Sequence, residues 1–160
     1  YTPATLMLFG LRESLQMLVD EEGLPAVYAR HARLANGVRA AVNAWDLPIV
    51  CEDPSCYSNT ITTVRVPEGI DSNELTRFAR ERYSLSLGGG IGELSGVAFR
   101  IGHLGALNEL EVLATIGGTE LAFADLGIEV DPGSGLLACQ ETFLPSTAEV
   151  SRAREAVAVA

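Results

Sequence analysis

Leu8, Leu11, Leu15 and Leu18 recur three and four residues apart, the spacing of one helix face, and predict a helix from Pro3 to Glu22. Thr2 and Pro3 fit its cap and first turn, and Gly23 its end. The run Leu6-Met7-Leu8-Phe9 is apolar on several sides. This half of the helix is therefore expected to be covered by more than its own domain, by a missing domain or a second subunit. A second helix is predicted from Pro25 to Ala44, with Val27, Leu34, Val38 and Val42 inward. Arg30, Arg33 and Arg39 fall largely outside that stripe, and His31 is placed on the polar, solvated side. The pattern then becomes extended. Leu47–Val50, the β-branched run Thr60–Val66, Leu85–Leu87 and Val97–Gly102 read as strands. Asp71-Ser72-Asn73-Glu74 opens a helix to Tyr83, and Asn108-Glu109-Leu110-Glu111 opens another to Leu126, which Gly127 stops. Ile128–Leu144 reads as irregular, with a turn at Asp131-Pro132-Gly133, and Ser146-Thr147-Ala148-Glu149 as the cap of a short last helix. This order predicts an α/β protein of the α+β two-layer kind, a small, mainly antiparallel sheet with helices on one face.

The chain has 160 residues, 48% of them apolar and 20% charged, enough for one domain with a real core. Its net charge of −10, without an arginine stripe or a long apolar run, points away from nucleic acid and from a membrane. All 11 basic residues are arginines. Chemistry that needs a lysine amine must come from outside this segment. The chain enters its first helix without an initiator methionine, as expected of an excerpt from a longer polypeptide. Three cysteines, Cys51, Cys56 and Cys139, are an odd count that argues for a reducing, cytoplasmic setting and for burial as small apolar residues. Cys51-x4-Cys56 lacks the second ligand pair a zinc site needs, so no metal is expected.

Four collinear stretches carry a resemblance: Tyr1-Thr2-Pro3-Ala4-Thr5, Gly10-Leu11-Arg12-Glu13-Ser14, Val66-Pro67-Glu68-Gly69-Ile70-Asp71, and Phe99-Arg100-Ile101-Gly102-His103-Leu104-Gly105. Together they resemble the class V aminotransferases of the alanine–glyoxylate and serine–glyoxylate type. Asp131-Pro132-Gly133-Ser134-Gly135 is similar to the serine–glyoxylate branch in particular. The resemblance implies the C-terminal small domain of a fold-type I enzyme that uses pyridoxal 5'-phosphate. Residues 1–22 would be the helix linking it to an absent large domain, and 128–160 a C-terminal extension. It also implies a homodimer, small amino acid and 2-oxo acid substrates, and an upstream domain that supplies the Schiff-base lysine, so no catalytic residue lies in this segment.

Within the resemblance, Arg100 binds the substrate α-carboxylate, a role that suits a planar guanidinium able to donate two parallel hydrogen bonds. Read without it, Arg100 is an ordinary edge-strand arginine facing water. Thr2, and with it Tyr1, would reach the cofactor phosphate of the neighbouring subunit, although Thr2 also reads as a helix cap alone. The glycine loop Gly88–Gly96 would lie near the substrate entrance or serve as a hairpin connection, and it matches no P-loop because no lysine follows. One departure is Val97, where related sequences often carry a lysine. His103 reads as structural, with a place near the site as the alternative. The function implied is transfer of an amino group from serine, or a similar small amino acid, to glyoxylate. The alternatives are a non-catalytic binding or regulatory module on the same fold, and a transaminase acting on another donor, such as ureidoglycine or an aminophosphonate.

Overall fold

The computed structural model describes residues 2–145. Tyr1 and the capping pattern at Ser146-Thr147-Ala148-Glu149 lie outside the described residues. Helix α1 spans Thr5–Leu15 and runs into a π-helical segment, Gln16–Glu21, instead of continuing as regular helix to Glu22. Thr2 is not its cap. The position belongs to Ala4, and the Thr5 amide and hydroxyl both donate to the Pro3 carbonyl oxygen, at 2.8 and 3.2 Å. The leucine stripe is present but not buried: Leu8, Leu11 and Leu15 are each at least half exposed, and no residue of α1 is buried.

Gly23, at φ +82°, separates this arm from α2 (Leu24–Ala44), whose Val27, Leu34, Val38 and Val42 are buried as their spacing predicts. Strand β1 (Ile61–Arg65) is followed by α3 (Ser72–Tyr83), β2 (Gly88–Gly89), β3 (Ala98–Gly102), α4 (Glu109–Asp125) and α5 (Ser134–Phe143). The three strands form an antiparallel sheet in the order β1-β3-β2.

Three expectations are corrected here. Leu47–Val50 is not a strand, since only Ile49 makes an isolated bridge, to Val64. Leu85–Leu87 is not one either, and pairing starts one residue later, at Gly88. The segment read as an irregular tail contains α5, which packs on α2 and α4. That packing is close. A side chain at Gly37 of α2 would meet Phe143 of α5, and one at Gly135 would strike the Trp45 indole, so both glycines are contact points between helices rather than weak spots. Gly88, by contrast, lies under the Arg100 side chain.

The core lies between the sheet and the helices. Phe99 and Ile101 of β3 are buried with Leu34, Leu75, Ile116 and Phe123. Trp45, Phe123 and Phe99 form an edge-to-face series with ring centroids 5.1 and 5.9 Å apart, the geometry favoured by the aromatic quadrupole.

Candidate substrate-carboxylate site

Successive side chains of a strand point to opposite faces. In β3 this sends Phe99 and Ile101 into the core and turns Arg100 to the other face, where it is half-buried. Arg100 lies opposite Thr63 of β1 and Gly88 of β2. Its Nε donates to the Gly89 carbonyl oxygen at 2.8 Å. Gly88 leaves room for the side chain: a Cβ there would lie 3.2 Å from Arg100 Cβ and Nε. Nε is thus anchored, while neither terminal nitrogen makes a hydrogen bond among the described residues. No carboxylate pairs with Arg100 among the described residues. A half-buried guanidinium with a fixed stem is chemically able to donate two parallel hydrogen bonds to a small carboxylate.

The loop after β3 is held from several sides. His103 is fully buried, its Nδ1 donating to the Asn59 carbonyl oxygen at 3.1 Å and its Nε2 3.0 Å from the Thr62 hydroxyl. The carbonyl can only accept, so Nδ1 carries the proton and Nε2 accepts from Thr62. Burial pushes the ring's pKa down to about 4; the Asn59 hydrogen bond opposes that shift, and the Arg39 and His31 charges add to it. The structural reading of His103 matches this environment.

His31 departs from expectation. It is buried, not solvated. Its Nδ1 donates to the Val27 carbonyl oxygen at 2.7 Å, and its Nε2 accepts the Gly105 amide at 3.2 Å. The neighbouring Arg30 donates to the Gly105 carbonyl oxygen at 2.7 Å and to that of Leu107 at 3.4 Å. Arg30 also pairs with both oxygens of Glu22, through Nε and a terminal nitrogen, each at 2.7 Å. This hydrogen bond raises the Arg30 pKa and lowers that of Glu22. Sequence reasoning missed this cluster. Its members are 74 and 75 residues apart along the chain, and no local pattern links a helix face to so distant a glycine. Beside it, Ser14, Met17, Leu18, Glu22, Arg30 and Gly105 border a cleft of about 450 Å³.

Thr2 is exposed and makes no side-chain hydrogen bond among the described residues, so nothing in the network joins it to Arg100. The cysteines divide. Cys139 is buried and burial pushes its thiol up to about 11, but Cys51 is partly exposed and Cys56 exposed, against the expectation of burial for all three. Among the described residues no helix is long and apolar enough to cross a membrane, and no three metal-ligating side chains cluster.

No family model matches the chain. It is 49% identical over 143 residues to a serine–glyoxylate aminotransferase of Hyphomicrobium methylovorum, covering 89% of this chain and 35% of that protein. It is 42% identical over 152 residues to an L-aspartate–glyoxylate aminotransferase of Paracoccus denitrificans, covering 95% of this chain and 38% of that protein. Among solved structures, a pyridoxamine–pyruvate aminotransferase from Mesorhizobium loti superposes with a TM-score of 0.83 at 33% identity, covering 89% of this chain and 36% of that one. The chain therefore spans about a third of the length of the relatives it matches.

Proposed function

We propose that this chain, homologous over most of its length to class V aminotransferases of the serine/alanine/aspartate–glyoxylate type, is the C-terminal small domain of such an enzyme and binds the substrate carboxylate through Arg100. The observation that carries the reading is the guanidinium held by Gly89 and facing no counter-ion among the described residues. The reaction proposed for the whole protein is transfer of an amino group from serine to glyoxylate, in the cytoplasm. Similarity to the L-aspartate–glyoxylate enzyme of Paracoccus denitrificans favours a second reading in which the donor is another small amino acid.

Pyridoxal 5'-phosphate, when bound, supplies an electron sink for breaking bonds at the amino acid α-carbon. The residues of this chain fit only part of a site for it. With no lysine among them, they cannot anchor the cofactor as an imine, so an upstream large domain is proposed to do so. Thr2, and Tyr1 beside it, are proposed to meet the phosphate of a partner subunit, which makes the enzyme a homodimer.

The work of this chain is to bind and orient. Arg100 fixes the carboxylate at one end of the substrate, and the anchored Nε lets the two terminal nitrogens meet it with little reorganisation. The test is Arg100→Ala in the full-length protein. Losing charge-assisted hydrogen bonds worth ~3 kcal/mol predicts a rise in substrate KM of about 100-fold with bound cofactor still visible by absorbance, and a smaller rise in Arg100→Lys. An unchanged KM would refute the assignment.

A further inference from the structure

We infer that Arg30 is a positioning residue, which ties the α1 arm to the loop that follows the Arg100 strand. Two separate segments converge on it. Glu22 ends the π-helical segment of the arm, and its carboxylate holds the guanidinium edge-on through two bonds of 2.7 Å. The third side of the guanidinium is spent on the Gly105 and Leu107 carbonyl oxygens. The adjacent His31 takes the Gly105 amide, so both backbone polar groups of Gly105 are held by consecutive residues of α2. Gly105 adopts φ +109°, a conformation other residues rarely adopt, so a side chain there would strain the turn that leads into α4.

Among the described residues little else ties the arm to the loop: none of α1 is buried, and a cleft of about 450 Å³ lies between arm and loop, spanned by the Glu22–Arg30 pair. A planar bidentate pair fixes orientation as well as distance, which a lysine could not do. β3 runs directly from Arg100 into this loop, so the pair sets where Arg100 stands relative to whatever packs on the apolar arm. The inference rests on the proposed role of Arg100 but concerns different residues.

The experiment uses the full-length protein with Glu22→Gln, Arg30→Gln and the double variant. Each single variant is expected to raise substrate KM at least about fivefold with kcat within about twofold, because a clamp displaced by less than an ångström loses carboxylate binding without touching the reacting atoms. The double variant should be no worse than the more affected single one, since both break one interaction. Hydrogen exchange at the Gly105 amide should accelerate in all three, a readout independent of turnover. If the variants unfold at lower temperature while KM and Gly105 exchange stay unchanged, the residues are merely structural and the inference is overturned. Should Arg30→Gln fail to fold, the near-isosteric Glu22→Gln gives the same readings. Normal KM in Arg100→Ala sinks the function proposed above, whereas a raised KM there with a normal one in Glu22→Gln and Arg30→Gln sinks only this inference.

Discussion

His103 is neutral in the fold across the physiological range, because burial holds its pKa near 4 against about 6.5 for a free imidazole. As the pH drops from about 6.5 towards 4, the unfolded chain takes up a proton that the folded chain refuses. Stability is therefore complete above the unfolded value and falls through that window, by on the order of 2–3 kcal/mol at its foot. His103→Gln should be less stable than the parent at pH 8, because the bonds to Asn59 and Thr62 are disturbed, and the gap should narrow towards pH 4. Thermal unfolding of both proteins across that range checks it, and parallel curves would contradict it. The two histidines also show what a sequence reveals at this scale. His103 follows the Arg100-Ile101-Gly102 motif and reads as structural. His31 has polar neighbours on its helix and reads as solvated, yet the distant Gly105 loop covers it. Arg100 stands out in the sequence through its motif, but its hydrogen bond to Gly89 depends on a strand pairing of only two residues that no periodicity announces.

The helices differ in where their ends come from. α4 is capped locally: the Asn108 side chain accepts from the Leu110 and Glu111 amides, and the Glu111 carboxylate accepts from the Asn108 amide. That signal lies within four residues and can be read directly. α5 has no such signal, and Pro132, Gly133 and Gly135 make its start read as a turn. Its cap comes from another helix. Glu120 of α4 accepts the Gly133, Gly135 and Leu136 amides at 3.0, 2.8 and 3.3 Å and the Trp45 indole N–H at 2.9 Å. A carboxylate at a helix N-terminus satisfies amides that have no partner within the helix and suits the positive end of its dipole. Glu120→Ala should cost about 2–4 kcal/mol, since it orphans a buried indole and three amides at once. Urea unfolding monitored at Trp45, the sole tryptophan of this chain, measures it. A change under about 0.5 kcal/mol would mean that water replaces the carboxylate without loss.

On the scale of the whole molecule, two surfaces differ from the rest. One is α1, where Leu6, Met7, Leu8, Phe9, Leu11 and Leu15 stay at least half exposed. The other is the sheet face that carries Arg100, turned away from the buried Phe99 and Ile101. The leucine spacing was legible as helix, and its excess of apolar residues was legible as a surface in need of a cover. That α1 is not buried among the described residues follows because α2, α4 and α5 already close the core around the sheet and leave α1 outside it. The chain spans about a third of its relatives' length, and among the described residues it leaves both the apolar arm uncovered and the Arg100 guanidinium without a counter-ion. A crystal structure of the full-length protein with a small amino acid substrate or unreactive analogue bound tests the proposed role of Arg100 most directly. The account predicts the ligand carboxylate paired with both terminal nitrogens of Arg100 at about 2.9 Å, and a carboxylate held by other residues, with Arg100 turned into solvent, would contradict it.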